Sequence, residues 1–226
     1  MTSIYRRALG AEFERLHPEI RRRFGFSSAD RISAVGHGVM EEVWHGPIYT
    51  LPFLALGMWR HIMFPCRGRD VPFRIENYAY VDQFGRETMT WIRTFEFPKG
   101  PLRFDATMIY SESRRKIVDY LGTHQHLAVD IDAGVSPKGG MELKSGEQRF
   151  YEGTVGFRFP MLFSGVAQVT EWYDDNDSRF HIDVAVGNRA WGPLFGYRGW
   201  FQVSWRQCGP ADVPRHVRPV REESRE

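Results

Sequence analysis

A cysteine framework, an excess of one charge and an unbroken apolar run are all missing from this chain. Only two of its 226 residues are cysteine, Cys66 and Cys208. They stand far apart and outside any metal-type pair, so nothing in the spacing argues for a disulfide or a thiolate site. Thirty Lys and Arg face 28 Asp and Glu, for a formal net charge of +2. That near-balance gives no general pull toward nucleic acid or an anionic membrane. The longest apolar stretch, residues 48–64, is interrupted by Pro52, Arg60 and His61, which excludes a clean membrane span. Met1 leads straight into Tyr5-Arg6-Arg7, without the apolar core of a signal peptide. These absences together predict a cytoplasmic protein with no nucleic-acid partner and no integral membrane segment. The signatures of common chemistry are absent too. There is no Gly-x-Gly-x-x-Gly before a helix, no Gly-Lys-Ser/Thr loop and no Gly-x-Ser-x-Gly elbow, since Phe163-Ser164-Gly165 lacks the first glycine. No cofactor is expected.

What the chain has is aromatic side chains, 15% of all residues within a hydrophobic share of 42%. A chain of this length buries roughly 70% of its unfolded surface, so it needs no staples. Residues 3–24 carry Leu9, Phe13, Leu16 and Ile20 at helical spacing, and His17-Pro18 predicts a break, because the residue before proline avoids the α region. From residue 32 the period shifts towards two. Strands are predicted over Ile32–Trp44, Phe73–Asp82, Glu87–Phe97, Leu102–Ser111, Lys116–Val129, from Met141, Gln148–Phe159, Gly165–Tyr173, Phe180–Val186 and Phe195–Arg206. A short helix over 47–65 lies across or plugs the sheet. Asp82-Gln83-Phe84-Gly85-Arg86 reads as a hairpin turn with glycine supplying positive φ, and Glu112 to Arg115 and Asp174 to Ser178 read as further turns. Nine or ten short strands without alternating helices predict a mainly β fold: a β-barrel or strongly curved antiparallel sheet, with an N-terminal helix and a short helix after the first strand. Residues 1–208 form one domain on this reading. Residues 209–226, rich in proline and charge, are expected to be a disordered tail.

Several segments carry a likeness. Tyr5-Arg6-Arg7-Ala8-Leu9-Gly10 with Leu16-His17-Pro18, the strand Trp91-Ile92-Arg93-Thr94-Phe95, and Gly192-Pro193-Leu194 through Tyr197-Arg198-Gly199 together resemble a bacterial family known as domain of unknown function 4166. The likeness runs to about Trp205. It implies a bacterial origin and a domain that occurs alone or fused to others, including reductase-like ones. It implies no particular activity.

The residues themselves suggest where chemistry could sit. In Glu87–Phe97, alternation puts Met89, Trp91, Arg93, Phe95 and Phe97 on one face. If that face is inward, Arg93 needs a partner, because an unpaired buried charge costs several kcal/mol. An internal carboxylate or a ligand carboxylate or phosphate would serve. Glu42 shares a face with Met40 and Trp44, and burial would raise its pKa and suit it to general acid work. His181 and Asp183 share a face, a pairing that can orient an imidazole as a base. Tyr197 could hydrogen-bond a ligand beside Gly199. His124-Gln125-His126 presents two imidazoles, with Asp130 or Asp132 needed as a third ligand, and no metal site is assigned. The leading expectation is binding of a small, mostly apolar or amphipathic metabolite, with Trp44, Trp91, Phe95 and Tyr197 as walls and Arg93 as anchor. The alternative is a cofactor-independent isomerase or cyclase in the same cavity, with Glu42 or the His181 and Asp183 pair moving protons. A third reading is a domain that binds a partner protein.

Overall fold

A computed structural model describes residues 1–160, 164–190 and 192–226. The period-two segments form strands β1 (Ile32–His45), β2 (Gly68–Val81), β3 (Glu87–Phe97), β4 (Gly100–Ser111), β5 (Lys116–Leu121), β6 (Leu127–Val135), β7 (Met141–Glu152), β8 (Val155–Arg158), β9 (Val166–Asp174), β10 (Arg179–Asn188) and β11 (Gly192–Gln207). Neighbours pair antiparallel from β1 through β7, β7 pairs with β9, and β11 returns to β1. Ten strands thus close a barrel, which removes the exposed edges an open sheet would leave. β8 stands outside the closure, paired with the end of β7 alone.

The ladder of the wall is interrupted between β7 and β9. Met141–Lys144 pair with β9, whereas Arg149–Glu152 turn away to β8. Between them side chains replace the ladder: Ser145 Oγ accepts the Ala167 N–H at 2.7 Å, and Gln148 Nε2 donates to the Gly165 carbonyl at 2.7 Å.

The chain breaks at proline as expected. α1 (Ile4–Leu9), a 3-10 turn and α2 (Pro18–Gly25) close one end of the barrel. Ile4, Tyr5, Phe13, Ile20 and Phe24 are buried there. At the other end α3 (Leu51–Trp59) lies across the mouth, with Leu54 inward and Phe64 following it. The Phe64 ring packs edge-on to Phe95 and Phe195 at 5.1 and 5.0 Å. The run expected as one strand over Lys116–Val129 is divided between β5 and β6. Gly122 at φ 74° and Gln125 at φ 52° bend the chain there, and the Gly122 Cα sits against the Arg60 carbonyl with no room for a Cβ.

Residues 209–226, where composition predicts disorder, instead run along the outer wall of the barrel. Val213 and Val217 cover Tyr78, Tyr80 and Ile92. The Tyr120 and Tyr151 hydroxyls donate to the carbonyls of Arg225 and Glu226, the Val220 N–H donates to the Thr123 carbonyl at 2.7 Å, and Arg86 Nη2 donates to the Glu223 carbonyl at 2.7 Å. This contact explains why β3 is buried on both faces from Glu87 to Phe95. The segment lacks strand periodicity because it packs on the wall rather than pairing into the sheet.

Candidate functional site inside the barrel

β3 directs Trp91, Arg93 and Phe95 into the barrel, and β11 directs Tyr197 in from the opposite wall. Four of the five residues expected to bind a ligand therefore meet. Arg93 Nη1 donates to the Tyr197 hydroxyl at 3.1 Å, and Nε donates to the Phe104 carbonyl at 3.1 Å. The guanidinium lies 3.8 Å from the Phe104 ring centre and 5.7 Å from that of Trp91. The Phe95 and Tyr197 rings stand edge to face at 5.0 Å. Stacked on aromatic faces, the guanidinium keeps directed N–H donors in a low-dielectric interior.

The carboxylate that sequence reasoning passed over is Asp119. It stands on β5 in register with Met108, facing inward between Ile117 and Leu121. Burial pushes its carboxyl up to about 7, and the nearby Arg93 charge and the Thr107 N–H offset only part of that. Its Oδ1 is buried with no hydrogen-bond partner. No ion pair closer than 4.0 Å joins it to Arg93, whose two bonds go to Tyr197 and to backbone. A buried oxygen without a partner is costly, and it marks this spot as unfinished. Tyr5 stands close by: its hydroxyl donates to the Met108 sulfur at 3.3 Å, and burial, then the Asp119 charge, raises its pKa.

A second buried polar group closes the floor. Arg23 of α2 reaches inward to form a two-pronged ion pair with Glu171 of β9, one prong 3.4 Å long, and donates to Asn77 Oδ1 at 2.9 Å. Its guanidinium lies over the Phe201 ring at 4.8 Å. Burial raises the Glu171 pKa more than Arg23 lowers it. Every carboxylate oxygen here is used, so the pair locks the N-terminal helices to the barrel and leaves nothing to offer a ligand.

The remaining expected residues lie on the outside. The alternation of β1 ends at a bulge between Met40 and Glu42, opposite Gly199 and Arg198. Val43 takes the inward position, so Glu42 and Trp44 face out. Glu42 Oε2 pairs with Arg198 at 3.0 Å, both partly exposed, and Trp44 lies over Gly196. Gly199 is needed where β1 crosses, because a Cβ would strike the Val39 and Met40 backbone. His181 is stacked on Trp172 at 5.3 Å and bonds Asp177 Oδ2 at 3.0 Å, while Asp183 is exposed on the same outer face. Glu42, His181 and Asp183 are thus separated from the interior cluster by the barrel wall. His124 and His126 lie in the β5–β6 loop with rings 5.6 Å apart, and Asp130 is bound by Arg114 and Arg149 instead.

Two open concavities among the described residues are also external. One, of about 420 Å³, lies over Arg149, Tyr151 and Phe157, and the other, of about 600 Å³, lies between the N-terminus and Tyr110. The interior around Arg93 is closed in this conformation, with α3 over the mouth and the Ser145–Gln148 seam in the wall.

A family model described as Domain of unknown function (DUF4166) matches residues 16–201. The chain is also similar to "Uncharacterized protein YndH" of Bacillus subtilis (strain 168), 32% identical over 208 residues, covering 92% of this chain and all of that protein. Neither description carries a ligand or a reaction.

Proposed function

The chain belongs to the DUF4166 family, and from that premise we propose that its barrel binds one small, mostly apolar molecule whose single acidic or carbonyl head meets Arg93 and Asp119. The observation that carries this reading is the buried, unpartnered Asp119 Oδ1 near the Arg93 guanidinium, among aromatic side chains of the barrel interior. A protonated Asp119 and Arg93 both donate, so the head they fit is an acceptor: a carboxylate or a carbonyl oxygen. Trp91, Phe95, Phe104 and Tyr197 supply the apolar wall, and such sites combine a few directed polar groups with aromatic lining. Trp44, on the outer wall, has no part in this site.

Entry requires movement. The Ser145–Gln148 seam is bridged by side-chain hydrogen bonds, each worth about 1 kcal/mol net, and Leu54 of α3 and Phe64 after it close the mouth. Opening there costs less than separating paired strands. The alternative of acid–base catalysis by Glu42 or by His181 and Asp183 finds no support in their positions, since two converging groups in one chamber are what proton transfer needs.

The test is native mass spectrometry of protein purified from its own host, with organic extraction of what travels with it. A reproducible bound molecule bearing one acceptor head, lost in Arg93→Met, supports the reading. Wild-type protein that is empty under gentle ionisation, and remains empty when offered amphipathic acids, overturns it.

A further inference from the structure

α3 and the turn before it (residues 48–59) contain no charged residue, yet only Leu54 on α3 is fully buried. Ile48, Leu56 and Trp59 are 81%, 69% and 76% exposed, with Phe53 and Met58 beside them. A helix on the surface of a water-soluble domain is normally polar on its outer side. Here the outer side is as apolar as the inner, and exposed apolar side chains gathered in one place mark a contact surface.

Along the chain, the segment that carries this patch has charge of one sign between Glu42 and Asp70. From Val43 to Arg69 the chain has no Asp or Glu, whereas Arg60, Arg67 and Arg69 all fall within it, with His45 and His61. The Arg60 guanidinium lies 4.8 Å from the Trp59 ring centre, at the C-terminal end of the helix. Arg67 Nη2 donates to the His45 and Gly46 carbonyls at 2.8 and 3.3 Å, just ahead of Ile48. Asp105, which faces the segment from β4, is buried and shared between Arg103 and His61.

We propose that this end of the barrel docks on an anionic lipid surface, with α3 lying in the plane of the interface. Leu56, Trp59, Phe53 and Ile48 enter the acyl boundary, and Arg60 and Arg67 meet the headgroup phosphates. A nine-residue helix is about 14 Å long, under half of the hydrocarbon thickness, so it can only lie on the bilayer. The apolar side chains project from the outer side of the helix, and the charged residues next to it in the chain, Arg60 and Arg67, are positive. A deformable anionic layer satisfies both, whereas a shaped protein groove would need to enclose the helix. The inference is independent of what the barrel holds.

The test is co-sedimentation of the full chain with vesicles of phosphatidylcholine, with and without phosphatidylglycerol. Binding is expected with phosphatidylglycerol, falling as salt is raised. The double substitution Leu56→Glu with Trp59→Glu, at exposed positions, should weaken it by roughly 100-fold, from the apolar area no longer buried. It should leave the urea midpoint unchanged. Arg60→Gln with Arg67→Gln should abolish the preference for phosphatidylglycerol. Failure to sediment with either vesicle overturns the proposal, as does undiminished binding by the glutamate variant. A dimer in sedimentation velocity that this variant dissociates, without vesicle binding, would give the surface to a second copy and equally overturn it.

Discussion

Replacing Asp119 with asparagine should stabilise the protein at neutral pH and do nothing in acid. The carboxyl rises from an ordinary 3.8 to about 7, chiefly because it is buried. One pH unit of altered proton affinity is about 1.4 kcal/mol, so holding the ionised form inside the barrel costs up to about 4 kcal/mol relative to the unfolded chain. The sign follows from proton counting. Between about pH 4 and pH 7 the folded protein keeps a proton that the unfolded chain has released, so this group's contribution falls as pH rises through that window. It is fully present below the unfolded value and lost above the folded one. The amide of Asp119→Asn has nearly the same shape, cannot ionise, and keeps a donor at this position. Urea denaturation of both proteins should give coincident unfolding free energies near about pH 4, diverging to a gap of several kcal/mol in favour of the amide variant above about pH 7. A gap that is constant across the range would refute the argument, because it would mean that Asp119 titrates alike in both states. A gap of opposite sign would mean that Arg93 stabilises the ionised carboxylate by more than burial costs it.

Two further perturbations probe the frame around the site. Glu171→Gln leaves the Arg23 guanidinium buried without its counter-charge and should cost about 3–5 kcal/mol in urea denaturation; a loss under about 1 kcal/mol would show that α2 is not held by this pair. Removing residues 209–226 strips Val213 and Val217 from the wall, each worth about 1.5–3 kcal/mol when buried. The shortened protein should unfold at a clearly lower urea concentration and bind a dye that reports exposed apolar surface. An unchanged midpoint would remove the tail from the fold's stability.

Much of the frame was legible because strands announce themselves locally. Glu87–Phe97 was bounded correctly at both ends, since strict alternation meets a turn whose Asp82 Oδ1 accepts from the Phe84 and Arg86 N–H groups around Gly85 at φ 78°. The same alternation placed Trp91, Arg93 and Phe95 on one face, and Phe195–Arg206 supplied Tyr197. Illegible were the events that depend on distant partners. The bulge after Met40 reverses the facing of Glu42 and Trp44, and nothing in residues 38–44 signals it; it lies opposite Gly199, far away in the chain. Asp119 carried a signal: a carboxylate alternating with Ile117 and Leu121 in an apolar run. So did Glu171, between Val169 and Tyr173. Each is an acid on an apolar face, and each needed its cation named before it could be read. Arg23 lies 148 residues from Glu171 and gave no local sign of its destination. The contacts of the tail gave no local sign either, because they are made with Tyr78, Tyr80, Tyr120 and Tyr151 of the barrel wall, far away in the chain.

The proposed function stands on an acceptor head binding at Arg93 and Asp119 inside the barrel. Its most direct test is isothermal calorimetry at about pH 6, where Asp119 holds its proton, with decanoic acid against decanol, a chain of equal length lacking the carboxyl. Decanoic acid should bind one to one, at least about tenfold more tightly than decanol, and Arg93→Met should abolish that difference. Equal affinity for the two, or a preference that survives Arg93→Met, would contradict the account.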